Sequence, residues 1–302
     1  MPHQSVFRPE LFKGQTTIVT GGGSGIGRCT AHELAALGAN VAILGRTAEK
    51  LAQVKAEIEE DGGEILTQVC DIRDEAMVIA AIDAVLGAYG RIDGLVNNAG
   101  GQYRAPMKTI STKGFEAVVR SNLIGGFIFM REVYNRWMEA NGGAIVNIIA
   151  DIWHGWPEFA HSGAARGGMM TLTETAACEW SASGVRVNAV APGGIVSSGF
   201  DTYTPEMQKK TARFYGWSAA AAFRHGSRNL GGNHVPIVAS RGLYHGVMRA
   251  GRWWHAERPQ HVEARAAQSK HSLRGLSSFQ ASRGFEEDAV NLSRAKGTRS
   301  WS

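Results

Sequence analysis

Cysteine is scarce in this chain: Cys29, Cys70 and Cys178 stand far apart and form no Cys-x-x-Cys pair. That excludes a disulfide framework and a zinc site of the usual spacing, and leaves buried free thiols as the plain reading. No run of about 18 uninterrupted apolar residues occurs, so no membrane-spanning helix is expected. The opening residues MPHQSVFRPELF lack the basic-then-apolar layout of a secretory leader, and the expected location is the cytoplasm. A basic excess is also missing where it would matter. The formal charge is +5, yet from Ser218 onward there are 13 Lys and Arg against 5 Asp and Glu, which leaves 19 against 22 in the rest. The basic character belongs to the tail, and no nucleic-acid partner is expected.

What is present is glycine in a particular place. The stretch Thr20 to Arg28 reads TGGGSGIGR, fed by the apolar run Thr16 to Val19 and followed by an amphipathic run from Ile26 to Leu37. Strand, glycine turn and helix follow one another. Gly21, Gly25 and Gly27 suit a backbone that turns sharply, approaches a diphosphate and lets the helix pack on the sheet. With Ser24 and Ile26 they make a cradle in which free helix N–H groups meet the anion. A glycine loop alone is a weak signal; its flanks give it weight.

Downstream, Val41 to Leu44 is a compact apolar run, and Ile65 to Val69, Leu95-Val96 and Val185 to Val190 read as further strands. Amphipathic segments Ala48 to Glu60 and Asp74 to Tyr89 separate the first three. Alternating strands and helices predict an α/β fold of the Rossmann type, a doubly wound parallel sheet with helices on both faces. Thr20, Arg46, Asp71 and Asn98 then end strands along one edge, where ligands of such sheets bind. Arg46 stands where an acid favours NAD and a cation favours the extra phosphate of NADP. It favours NADP(H) over NAD(H), with a solvated helix-start arginine as the competing reading.

The combination TGGGSGIG, then CDI, then NNAG resembles the short-chain dehydrogenase/reductase superfamily, over roughly Phe12 to Thr202. The resemblance implies that Asp71 and Ile72 hold the adenine, and that Asn98, Ala99 and Gly100 support the central strand beside the cofactor. It also implies that Asn122 kinks its helix and holds a proton-relay water, and that Pro192, Gly193, Gly194 and Ile195 turn beside the nicotinamide. A homo-oligomer is implied as well, through the two helices that pair across a two-fold axis in the family.

One part departs from the family pattern. No tyrosine occurs between Ile145 and Glu179; Arg166 falls at the position of the family's lysine, Ser162 at its tyrosine and Ala150 at or next to its serine. The stretch HSGAAR resembles the trans-2-enoyl-CoA reductases and, more loosely, the 2,4-dienoyl-CoA reductases and bacterial citronellol-catabolism relatives. Reduction of an enoyl thioester needs stabilisation of an enolate oxygen, which hydrogen-bond donors supply. Ser162 is therefore cast as a donor to the substrate carbonyl, and Arg166 as the group that bonds the nicotinamide ribose. Asp151 is cast as the proton donor, through water near Asn122; a loop-capping role is its competing reading. His161 is read as a titrating neighbour of Ser162 or a structural loop histidine. Trp153, Trp156 and Phe159 fit the wall of an apolar pocket for an acyl-CoA or terpenoid-like substrate.

Beyond about Lys210 the periodicity fails, and residues 218–302 form a Gly-, Arg-, His- and Ser-rich tail to a single domain at 1–217. A structureless run of that length argues against itself in a compact enzyme. Shifting permitted codons of Ser218 to Trp254 by one nucleotide allows an apolar helix ending in Ser-Pro and a strand ending in Val-Asp-Gly-Gly. The codons of Trp253, Trp254 and His255 force the two glycines. We expect a displaced reading frame here, with the final strand missing or replaced; a genuine extension is the alternative.

Overall fold

The computed structural model describes residues 5–153, 155–193, 204–206 and 208. The tail, the last strand, Gly194 and Ile195 lie outside them. Six strands are described: β1 (Thr16–Thr20), β2 (Asn40–Gly45), β3 (Ile65–Val69), β4 (Gly94–Asn97), β5 (Gly143–Ile148) and β6 (Val185–Val190). They form one sheet in the order β3-β2-β1-β4-β5-β6, and every neighbouring pair is parallel. The order reverses between β1 and β4, where a crevice opens at the carboxyl ends.

Between the described strands lie seven α-helices: α1 (Gly25–Ala36), α2 (Ala48–Glu60), α3 (Glu75–Tyr89), α4 (Thr112–Val119), α5 (Gly125–Val133), α6 (Glu139–Asn141) and α7 (Ala160–Glu179). Strand period 2 sorts the core onto two faces. Val19, Val41 and Ile43 meet Ala31 of α1 and Leu51, Val54 and Ile58 of α2. Ile18, Ala42 and Leu44 share the opposite cluster with Val78 and Ile82 of α3, Phe129 and Val133 of α5, and Met169 and Ala176 of α7.

Local signals account for the helix ends. Asp74 caps α3, its side chain accepting from the Met77 N–H, and Gly90 closes that helix at φ 68°. Ser111 caps α4 through the Gly114 N–H. Between α4 and α5 the chain widens into a π-turn at Arg120–Ile124, with Asn122 buried inside it. A second π-turn spans Tyr134–Met138. α7 ends at Glu179 and a 3-10 turn at Ser181–Ser183 follows.

Candidate active site

The carboxyl rim is tied together from β1 to β4. The Thr20 hydroxyl oxygen accepts from the Asn98 N–H and the Ala99 N–H, each at 3.0 Å. Asn98 Nδ2 donates to the Thr20 carbonyl at 3.0 Å and the Gly21 carbonyl at 3.3 Å. Thr20 thus works as a tie between strand ends, a role that Asn98 alone suggested from sequence. Gly21 and Gly25 adopt φ 68° and 54°. A Cβ on Gly21 would lie 2.9 Å from Ala99 Cα, and one on Gly27 would lie 2.5 Å from Asn98 Nδ2 and strike the Gly21 carbonyl. Only glycine fits at either position. Ser24 makes no side-chain cap bond at the start of α1, which leaves the first N–H groups and its hydroxyl for an anion. The cradle fits a dinucleotide diphosphate.

Just past β3, Asp71 accepts from Arg73 Nε at 2.9 Å and from the Arg73 N–H at 3.0 Å. This arginine, helped by Arg46, holds the Asp71 carboxyl down at about 2. Ile72 is buried and packs where a Cβ on Gly125 would stand. Arg46 is exposed just past β2.

Past the end of β4 three of the expected residues converge. A Cβ on Gly100 would lie 2.5 Å from Asn122 Oδ1 and 2.7 Å from Arg166 Nη2, so both side chains close on one backbone atom. Asn122 is pinned by donation from Nδ2 to the Gly101 carbonyl at 2.5 Å and the Val118 carbonyl at 2.9 Å. The Arg166 guanidinium donates to the Ile148 carbonyl at 2.6 Å. Burial pushes its pKa down to about 10, which leaves it charged at neutrality. No carboxylate pairs with it among the described residues.

Ser162 lies one turn before Arg166 on α7 and is 0% exposed. His161 Nδ1 accepts from the Ser162 N–H at 2.8 Å and stands 3.2 Å from Ser162 Oγ. Because Nδ1 accepts, the neutral ring carries its proton on Nε2, a buried atom. Burial lowers the His161 pKa and favours that neutral form. Asp151 is exposed beyond β5, and its N–H donates to the Pro192 carbonyl at 3.4 Å, which joins it to the Pro192-Gly193 turn after β6. Trp156 and Phe159 pack with ring centroids 5.0 Å apart, and Trp153 is 47% exposed. Gly163 of α7 faces Trp156, and Gly167 faces Ile152.

Sequence reasoning missed Tyr103. Its ring meets His161 edge to face at 4.5 Å, while its hydroxyl rests against Gly114 at the start of α4. No motif marks it; only the fold brings it to α7.

A model of the family described as short chain dehydrogenase matches residues 15–208. Over 200 residues the chain is 36% identical to a peroxisomal 2,4-dienoyl-CoA reductase of Danio rerio, covering 66% of this chain and 66% of that protein. It thus spans just under two thirds of that relative's length. Among solved structures it is similar to a citronellol catabolism dehydrogenase of Pseudomonas aeruginosa PAO1, at 53% identity and a TM-score of 0.63, covering 74% of this chain and 95% of that one. An NAD+-bound xylitol dehydrogenase is similar at 36% identity and a TM-score of 0.59, covering 61% and 71%. With the parallel sheet, the glycine cradle and the Asn122–Arg166 pair in place, the chain belongs to the short-chain dehydrogenase family of oxidoreductases.

Proposed function

We propose that this chain is an NADP(H)-dependent oxidoreductase that reduces an enoyl thioester or acts on a related unsaturated alcohol or aldehyde. The observation that carries the reading is the serine and arginine at 162 and 166, where the family pattern has tyrosine and lysine, with Arg166 beside Asn122 and Gly100. A conjugated thioester accumulates negative charge on its carbonyl oxygen as it is reduced, and a fixed donor stabilises that charge without giving up a proton. The Ser162 hydroxyl is such a donor. Arg166 holds a permanent charge and orients, since a guanidinium is a poor acid at neutrality. Asp151, exposed beyond β5, is the group that delivers the proton to carbon, through water near Asn122.

A nicotinamide dinucleotide, when bound, supplies hydride transfer. Gly21, Ser24, Gly25, Ile26 and Gly27 would hold its diphosphate, Asp71 and Ile72 its adenine, and Asn98 to Gly100, Arg166, Pro192 and Gly193 its nicotinamide half. Arg46 supports NADP: it is exposed past β2, and the nearby Asp71 carboxylate is taken by Arg73. The names of the dienoyl-CoA reductase and citronellol catabolism relatives support an extended unsaturated substrate.

The test follows NADPH and NADH oxidation with crotonyl-CoA, trans-2-decenoyl-CoA and citronellal, in the native chain, Asp151→Ala and Ser162→Ala. Enoyl-CoA turnover that prefers NADPH and falls on the order of 100-fold in either variant is expected. Coenzyme binding without turnover of any substrate would favour a second reading, a non-catalytic dinucleotide-binding protein. The complete burial of Ser162 is the observation on that side.

A further inference from the structure

Two loops that border the candidate site are tied together at a point that takes no part in the proposed chemistry. One follows β4 and carries Gly101 to Pro106; the other joins β5 to α7 and carries Trp156 and Phe159. They are bound at one point by three contacts. Arg104 pairs with Glu158, its Nε donating to Oε2 at 2.8 Å and its Nη2 reaching the same oxygen. The Ala105 N–H donates to the Glu158 carbonyl at 2.9 Å. Tyr103, one residue earlier, holds the His161 ring.

The pair is sheltered, with the Arg104 side chain 15% exposed and that of Glu158 34% exposed. Glu158 also sits at φ 68°, a left-handed conformation that a residue with a Cβ avoids. Such a conformation persists where the surroundings over-determine it, and it collects at sites where a loop must be held in one shape. Here the backbone bond from Ala105 and the arginine fork supply that constraint. On either side of Glu158 stand Trp156 and Phe159, and three residues on begins the His161–Ser162 pair.

We propose that Arg104 and Glu158 are positioning residues that lock the two loops into one preformed wall of the substrate pocket. The proposal rests on the reading of this cleft as the substrate site. The clamp sets where the aromatic pair meets the acyl chain; Gly21 and Gly27 of the dinucleotide cradle pack on Asn98 and Ala99, not on Arg104 or Glu158. Loss of the clamp therefore acts on the substrate, more on a long chain than a short one, and leaves coenzyme binding alone.

The experiment compares the native chain with Arg104→Gln, Glu158→Gln and the exchanged pair Arg104→Glu with Glu158→Arg. Each single variant is expected to raise KM for trans-2-decenoyl-CoA on the order of tenfold, as loss of a charge-assisted bond does. KM for crotonyl-CoA and the coenzyme Kd stay within about twofold, and the exchanged pair recovers most of the loss. A second readout needs no turnover. Amide hydrogen exchange at Ala105 and across 158–161 is expected to quicken on the order of tenfold in the single variants. If no enoyl-CoA is turned over, the substrate reading fails, and the exchange measurement still decides whether the loops are clamped. Unchanged exchange, or a KM rise equal for both chain lengths and accompanied by weaker coenzyme binding, overturns the clamp.

Discussion

Gly100 and Gly101 are neighbours in the same loop, yet a methyl group on each meets a different fate. At Gly100 it would stand 2.5 Å from Asn122 Oδ1 and 2.7 Å from Arg166 Nη2; at Gly101 nothing lies within 4 Å. Neither neighbour of Gly100 is free to swing away. Asn122 is tied to the Gly101 and Val118 carbonyls, and Arg166 to the Ile148 carbonyl. To regain ordinary contact each atom must withdraw by roughly 0.7 to 1 Å, and overpacking of this kind costs about 1–3 kcal/mol. A displacement of about 1 Å in groups that orient reactants costs on the order of 100-fold in rate. Gly100→Ala is therefore expected to lose on the order of 100-fold in kcat, while Gly101→Ala stays within about twofold. Steady-state kinetics with thermal melts of both variants is the assay. Equal activity of the two, or equal loss in both, would refute the convergence of Asn122 and Arg166 on Gly100.

Thr20→Val keeps the shape and deletes the acceptor of two part-buried N–H groups, those of Asn98 and Ala99. It is expected to cost about 2–4 kcal/mol, a Tm fall of roughly 4–16 °C in a melt; an unchanged Tm would remove Thr20 from the tie between β1 and β4. His161 is held neutral by burial, so its native pKa lies below its unfolded value near 6.5. Between those two values the unfolded chain binds the extra proton, so stability is full above about pH 6.5 and falls as pH drops toward the native pKa. His161→Gln should flatten that part of the Tm-against-pH curve, and an unaltered curve would contradict the assignment. The displaced frame expected from Ser218 onward predicts a one-nucleotide difference in the encoding DNA near Lys210 to Ser218 relative to genes of similar proteins. An unbroken frame of equal length would refute it.

Much of the scaffold was legible because β2, buried on both faces, reads as a compact apolar run, and strands and amphipathic helices alternate along the chain. α2, β3 and β6 begin and end at the residues the pattern indicates, Ala48–Glu60, Ile65–Val69 and Val185–Val190. The glycine cradle was legible for a different reason: positive φ and close backbone approach leave no other residue at Gly21. Asn122 was placed in its helix kink through family resemblance, and the kink proves to be a π-turn. The second π-turn at Tyr134–Met138 has no marker in its residue types. Neither Tyr103 nor the Arg104–Glu158 pair was foreseen, because loops 54 positions apart meet through tertiary structure and carry no period of their own. The His161 tautomer was likewise invisible, since it follows from one N–H placed against Nδ1 by the first turn of α7.

Calorimetric titration of the full chain with NADPH, repeated with NADH, bears most directly on the account. A single site per chain, tighter for NADPH and abolished by Gly27→Ala, is the expected result. Absence of binding heat with both coenzymes at millimolar concentration would contradict it.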